Sequence, residues 1–167
     1  MSPRGTLHLL IGPVGAGKTT YAQRRVTRSP AVFLDLDVWM VRLFGADPRP
    51  PEGVMAWYLE RRERCRGVLW DLTLGVLACG TDVVLEIGLL GQQERQAFYE
   101  RARSEGLELV VHLLDAPRAT CRERVARRNQ SSGPFTQRVP PEIFERAYDA
   151  WEPPTEEERA AWAIVDE

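Results

Sequence analysis

Leu7-His8-Leu9-Leu10-Ile11-Gly12-Pro13-Val14-Gly15-Ala16-Gly17-Lys18-Thr19-Thr20 sets the architecture of this chain. Its opening, Leu7–Ile11, is a short apolar run bounded by glycine, as expected of a buried parallel strand. The run Gly12–Thr19 then fits G-x-x-x-x-G-K-[ST], and a helix is expected to leave it near Lys18 and to end before Pro30, at about Arg28. The glycines let successive backbone N–H groups turn toward phosphate oxygens, and the helix N-terminus adds its positive end. Lys18 is placed to reach the β- and γ-phosphates of a nucleoside triphosphate, and the Thr19 hydroxyl to bind Mg²⁺. The expected nucleotide contacts are therefore Gly12, Pro13, Val14, Gly15, Ala16, Gly17, Lys18 and Thr19. Thr20 is either a plain helix residue or a further phosphate contact.

Working outward, apolar runs alternate with helical patterns. Strands are expected at Ala31–Leu34, Asp82–Ile87 and Leu107–Leu114, with a short last one at Trp162–Val165. Helices are expected at Val38–Phe44, Gln92–Ser104, Ala116–Arg128 and Pro140–Ala150, and one or two within Val54–Ala78. The connections 45–53 (GADPRPPEG) and 129–140 (NQSSGPFTQRVP) are rich in chain breakers and polar residues. This order predicts βαβ units, right-handed crossovers and a parallel sheet covered on both faces. Ligands of such sheets sit at the carboxyl ends of the strands, so the loops after Ile11, Leu34, Ile87 and Leu114 should line one site.

Composition limits the alternatives. With 167 residues, the chain is expected to be one domain, able to bury roughly 70% of its unfolded surface without a disulfide or metal staple. A net charge of −2 points to no general nucleic-acid or membrane surface, and the first apolar run is too short to span a bilayer. Cys65, Cys79 and Cys121 match no zinc or redox spacing and read as reduced thiols, so a cytoplasmic setting is expected. His8 and His112 sit inside apolar strands with no carboxylate near them in sequence, and read as core or sheet-edge residues. Against the neutral background, Arg118, Arg122, Arg124, Arg127 and Arg128 form a basic cluster.

Four stretches together resemble the small P-loop kinases: GPVGAGKTT at 12–20, FLDLD at 33–37, VVLE at 83–86 and LDAPRATCRERVARRN at 114–129. That group includes gluconate and shikimate kinases, adenylate kinase, chloramphenicol phosphotransferases and zeta-toxin kinases. The similarity is greatest to the short bacterial kinase-like P-loop proteins grouped with AAA-type ATPases, whose end the tail AWEPPTEEE also resembles. The resemblance implies a three-layer α/β fold with a five-stranded parallel sheet, helices on both faces and a short lid near 129–139.

It also implies roles. Asp37 would be the base facing an acceptor hydroxyl, with a second-shell Mg²⁺ role and a plain helix cap as the alternatives. Asp35 would hold a Mg²⁺-bound water. The two aspartates, alternating with Leu34 and Leu36, are expected on one side of the strand end. Glu86 is either a Walker B-like acid near Mg²⁺ or a structural ion-pair partner. Arg124 would pack near the adenine and Arg128 reach the phosphates, against a reading as a solvated basic face. Arg127 can share the role of Arg128, and Arg138 is a candidate lid arginine. Trp39, Trp57 and Arg61 or Arg64 lie in the segment that covers the acceptor in that family.

The expected activity is transfer of the γ-phosphate of ATP, with Mg²⁺, to a hydroxyl of a small molecule by a monomer or homodimer. A nucleotide-driven switch or ATPase without an acceptor is the alternative from another class, and a nucleic-acid 5′-hydroxyl kinase the alternative acceptor. Against the first, the chain is too short for arginine-finger and sensor regions; against the second, it shows no extended basic and aromatic track.

Overall fold

In the computed structural model, which describes residues 4–130 and 138–167, five strands form one sheet in the order β2-β3-β1-β4-β5. They are β1 Leu7–Ile11, β2 Ala31–Asp35, β3 Asp82–Glu86, β4 Leu109–Leu113 and β5 Ile164–Asp166. All neighbouring pairs are parallel, with Leu9 opposite Leu85 and Val111, and Asp35 opposite Glu86. The helices are α1 Lys18–Arg28, α2 Leu36–Phe44, α3 Val54–Ala78, α4 Gln92–Ser104, α5 Arg118–Gln130, α6 Pro141–Asp149 and α7 Glu156–Ala161.

Strand alternation sorts the core into two layers. Leu7, Leu9, Ile11, Val83, Leu85, Val111 and Leu113 pack with Leu69, Trp70 and Leu77 of α3 and with Phe98 and Tyr99 of α4. Leu10 and Val84 face the other way, onto Ala22 of α1, Cys121 and Val125 of α5, and Phe144 of α6. This is the expected three-layer arrangement. Helix α3 buries Cys65, Leu69, Thr73 and Leu77 at i, i+4 spacing, which keeps one stripe on the sheet along its full length.

Three expectations need correction. Helix α2 starts at Leu36, and its cap is Asp35, whose carboxylate accepts the N–H groups of Asp37 and Val38. Leu36 and Met40 are both buried, and burying that i, i+4 pair requires the helix to begin before Val38. Asp37 is therefore not the cap, and the two aspartates do not share one strand side: Asp35 ends β2 and Asp37 lies in the first turn of α2. The tail also holds a helix, α7, that periodicity had not revealed. Its signal is the capping box Thr155-x-x-Glu158, in which the Thr155 hydroxyl accepts the Glu158 N–H. Finally, β4 is shorter than Leu107–Leu114, and α5 is shifted two residues toward the C-terminus. Most of the expected lid, residues 131–137, lies outside the described residues; at its flanks, the Asn129 side chain exchanges two hydrogen bonds with the backbone of Val139.

Two buried polar networks tie the C-terminal segment to the sheet. In the first, Arg95 on α4 is fully buried and grips Glu158 on α7 through Nε–Oε1 at 2.7 Å and Nη2–Oε2 at 2.9 Å. Tyr99 donates to the same carboxylate at 2.8 Å, and Arg95 also donates to the Leu90 carbonyl. The second network joins both histidines. His8 Nδ1 lies 2.9 Å from His112 Nε2, Arg25 Nη2 lies 2.7 Å from His8 Nε2, and His112 Nδ1 meets the Glu167 carboxylate. A guanidinium only donates and a carboxylate only accepts. One assignment then satisfies every ring nitrogen: Arg25 donates to His8, His8 to His112 and His112 to Glu167, with both imidazoles neutral. The carboxylates missing from the local sequence arrive from Asp82, 3.6 Å from His8, and from Glu167.

Two outcomes follow for stability. Glu158→Ala leaves the buried Arg95 charge without its partner, and urea unfolding should show a loss of about 3–5 kcal/mol. Burial, then the Arg25 charge, holds His8 at a pKa of about 4, below its ordinary 6.5. Between those values the unfolded chain takes up a proton that the folded chain refuses, so stability is complete above pH 6.5 and falls as pH drops toward 4. His112 is lowered in the same direction. Urea titrations across pH 6.5–4.5 should show a shallower fall for His8→Asn than for wild type, by up to about 3 kcal/mol.

Candidate active site

The loop from Gly12 to Gly17 joins β1 to α1, and three of its glycines carry conformations closed to other residues. Gly12, Gly15 and Gly17 have φ of 145°, 82° and 104°. At Gly12 an added Cβ would stand 2.0 Å from the Leu114 carbonyl oxygen, and at Gly15 2.6 Å from that of Cys121. The loop thus threads between β1 and the start of α5 with no room for a side chain at Gly12 or Gly15. Gly17, in the left-handed region, opens α1 with no side-chain cap and no acid in the first turn. Its leading N–H groups are left for an external anion, in contrast to α2 and α7, which side chains cap.

Lys18 follows at the first helical position. Its ammonium donates to the Gly12 and Pro13 carbonyl oxygens, both at 2.9 Å, so the side chain folds over the loop it belongs to. Thr19 and Thr20 are exposed on the next positions of α1. Arg124 of α5 closes the other side: its Nη1 donates to the Ala16 carbonyl at 3.0 Å and lies 3.7 Å from where a Cβ on Gly17 would be. Arg128, one turn further along α5, is half-buried, and its Nε has no hydrogen-bond partner among the described residues.

At the carboxyl ends of β2 and β3, register sets Asp35 beside Glu86. Both are buried, and alternation turns both toward the face that carries α1. Burial raises Asp35 to a pKa of about 6, and the negative charge of Asp37 adds to it, against the α2 N–H bonds and Lys18. Burial also raises Glu86 to about 7; Lys18 opposes this, while Asp37 and Asp35 add to it. Asp37 is exposed and close enough to both to act on them. Lys18, Asp35, Asp37 and Glu86 therefore form one electrostatic cluster, although they come from three separate stretches of sequence. Three carboxylates short of positive charge suit a divalent cation. Among the described residues no three such side chains form a ligand cage by themselves.

Two side chains beside the site, Arg62 and Arg66, went unread in the sequence. Helix α3 brings Arg62 Nη2 to the Gly88 carbonyl at 2.8 Å and Arg66 Nη2 to the Ile87 carbonyl at 3.0 Å. These bonds fix the loop after Glu86. Their sequence signal was the turn spacing of Arg62 and Arg66, hidden among the many charges of that helix. Trp39 packs against the core, and Arg64 pairs with Glu60 on the solvent side, so neither joins them. The Arg61 guanidinium lies 4.0 Å from the Trp57 ring centroid.

Residues 7–154 match the AAA domain family. The chain belongs to that family. Known folds around this AAA domain agree with it. A chain of the Pnkp1/Rnl/Hen1 RNA repair complex superposes with a TM-score of 0.70 at 17% identity, covering 97% of this chain. This AAA domain spans 47% of that chain's length. A gluconokinase from Sinorhizobium meliloti 1021 gives a TM-score of 0.55 at 18% identity, with 99% and 84% of the two chains covered. Kti12 of Chaetomium thermophilum, solved with ADP-AlF3, gives 0.66 at 17% identity, with 96% and 88% covered. No curated protein matches the chain. These likenesses establish the P-loop fold. Among the described residues, no helix is long and apolar enough to cross a membrane.

Nucleotide binding should depend on Lys18. Saturating ATP with Mg²⁺ at 100 times its Kd should add about 2.7 kcal/mol to the folded state, a rise in Tm of roughly 5–10 °C. Lys18→Ala should lose most of that shift; equal shifts for the two proteins would show that phosphates bind elsewhere.

Proposed function

We propose that this AAA domain is an ATP-dependent kinase that phosphorylates a hydroxyl group of a small molecule. The observation that carries the reading is the position of Asp37. It stands at the mouth of the site, within electrostatic reach of Asp35 and Glu86, and Asp35 has taken over the capping of α2. A carboxylate beside the phosphate loop and not consumed by a cap is what a hydroxyl acceptor requires.

In this reading the phosphates lie on the N–H groups of the Gly12–Thr19 loop. The Lys18 ammonium exchanges its loop carbonyls for the β- and γ-phosphate oxygens. The acceptor oxygen attacks the γ-phosphorus, the bond from that phosphorus to the β–γ bridging oxygen breaks, and ADP leaves with the electron pair. The hydroxyl proton passes to Asp37 and then to water. Mg²⁺ would neutralise charge on the phosphates, held by the Thr19 hydroxyl and, through water, by Asp35, with Glu86 beside it. Arg124 borders the nucleotide and holds the loop backbone, and Arg128 supplies a further guanidinium toward the transferring group.

The test is an acceptor screen with γ-labelled ATP over small hydroxyl compounds and 5′-hydroxyl oligonucleotides, followed by Asp37→Asn. With an acceptor in hand, Asp37→Asn should cut kcat by about 10²–10⁴-fold and leave ATP affinity nearly intact. Full turnover by the variant would move the role to Asp35 or Glu86. Steady hydrolysis that no acceptor stimulates would favour an ATPase instead.

A further inference from the structure

The register of the sheet leaves the chain after Glu86 without strand partners. Pairing of β2 with β3 ends at Asp35 opposite Glu86, and pairing of β1 with β3 ends at Leu9 opposite Leu85. The carbonyls of Ile87 and Gly88 must therefore find donors elsewhere, because a buried backbone acceptor left unpaired costs free energy. Helix α3 supplies them. Arg66 Nη2 donates to the Ile87 carbonyl at 3.0 Å and, more weakly, to that of Gly88 at 3.4 Å; Arg62 Nη2 donates to Gly88 at 2.8 Å.

These two arginines continue the buried stripe of α3. Counting back from Leu77, the stripe runs through Thr73, Leu69, Arg66 and Arg62, on one face of the helix. It changes from apolar side chains to guanidiniums where the strands give way to loop. Only 17% of the Arg62 side chain and 15% of the Arg66 side chain is exposed. Their counter-charges come from outside the cluster around Lys18: Arg66 Nη1 lies 3.0 Å from Glu63 and 3.2 Å from Glu94, and Arg62 Nη1 lies 3.9 Å from Glu94. Glu94 sits in the first turn of α4, so the clamp ties α3, the loop and α4 together. Apolar packing grips the same loop, since Ile87 and Leu89 are both buried in the core. Gly88 between them has a φ of 64°, and an added Cβ there would stand 3.5 Å from Arg62 Nη2. The Gly88 N–H bonds to the Glu86 carboxylate. That N–H and the Ile87 carbonyl belong to one trans peptide unit, so they point in opposite directions. Arg66 therefore holds one side of the peptide and Glu86 the other, and each bond polarises the unit in favour of the second.

Resting on the kinase reading of this site, we propose that Arg66, with Arg62 beside it, is a positioning residue that acts through the Ile87–Gly88 peptide on Glu86. The clamp holds that carboxylate turned toward Lys18 and Asp35, where the metal–nucleotide complex would bind. Neither arginine touches the nucleotide or the acceptor in this role.

The experiment measures ATP affinity by calorimetry, once with saturating Mg²⁺ and once in EDTA; the ratio of the two is the metal's contribution to binding. Arg66→Met keeps the length of the side chain and removes its charge. It should cut that ratio by about 10-fold or more, the scale for groups that orient the surroundings of a metal, and leave the affinity in EDTA within about twofold of wild type. Arg62→Met should show a smaller loss of the same kind. Arg66→Lys should keep part of the wild-type ratio, since an ammonium can reach the Ile87 carbonyl but lacks the fork. Gly88→Ala should reproduce the loss with both arginines present, because it strains the left-handed turn that the clamp grips. If Arg66→Met does not fold, these last two variants carry the same test. Adding Arg66→Met to Glu86→Gln should cost no more than Glu86→Gln alone, because both changes disable one device. An unchanged ratio in Arg66→Met overturns the proposal, as does a double variant whose losses multiply. So does an affinity in EDTA that falls in step with the affinity in Mg²⁺, which is what general damage to the loop would give. No acceptor enters this measurement, so its outcome stands apart from whether any hydroxyl compound is phosphorylated. With an acceptor in hand, Arg66→Met should lower kcat and leave the acceptor KM unchanged; a change confined to the acceptor KM overturns the proposal by making Arg66 a substrate contact.

Discussion

The site depends on a contest between burial and the single ammonium of Lys18. Asp35 and Glu86 end two neighbouring parallel strands, and strand pairing leaves them no choice but to lie side by side with little solvent. Desolvation is the largest influence on each, and it favours the protonated form. Lys18 pulls the other way, but it is one charge facing three carboxylates, and it spends itself partly on the carbonyls of its own loop. Positive charge is the missing ingredient, and in the proposed reading a nucleotide's metal ion would supply it. The strand register that sets these carboxylates side by side is therefore what leaves the site short of positive charge.

Much of this was legible in the sequence because its causes are local. The strand–loop–helix at Leu7–Arg28 is written as apolar run, glycines and helix, and the fold carries those bounds unchanged. The same holds for α4 and for the span of α3. What escaped was decided by partners far along the chain. Leu36 has to be buried beneath α3, and that moves the cap from Asp37 to Asp35. Arg95 reads as one more charge on a polar helix until Glu158 arrives from the tail to meet it. The histidines look isolated until Glu167 and Asp82 are brought beside them. In each case the deciding interaction spans tens of residues, and no periodicity records it.

The polar networks divide the labour of the molecule. Those formed by Arg95, Glu158, His8 and His112 lie away from the phosphate loop and hold the C-terminal segment against the sheet. They are largely closed: Arg95 and both histidines find partners, the Arg25 Nε is left without one among the described residues, and their energy goes into stability. The groups at the carboxyl edge are open. Asp37 and the leading N–H groups of α1 are held in place by the backbone, with capacity left for something outside the chain. Groups left open at one edge of a sheet, beside networks elsewhere that pair most of their donors, are a physical signature of a binding site that does not depend on any likeness to another protein.

That division also explains why the fold is silent about the acceptor. The phosphate loop, Lys18 and the strand-end carboxylates come from β1, β2, β3 and α1, whose positions the core fixes. The first two turns of α3 and the breaker-rich loop before it are exposed or half-buried and add no fully buried residue to the core. Superposition on a gluconokinase and on a chain of an RNA repair complex at comparable identity is what such a design produces. The shared part matches because packing constrains it, and the part that selects the substrate contributes little to the match. What the site selects must therefore be argued from this chain's own side chains at the carboxyl edge, because packing constrains the scaffold they stand on and not the groups they meet.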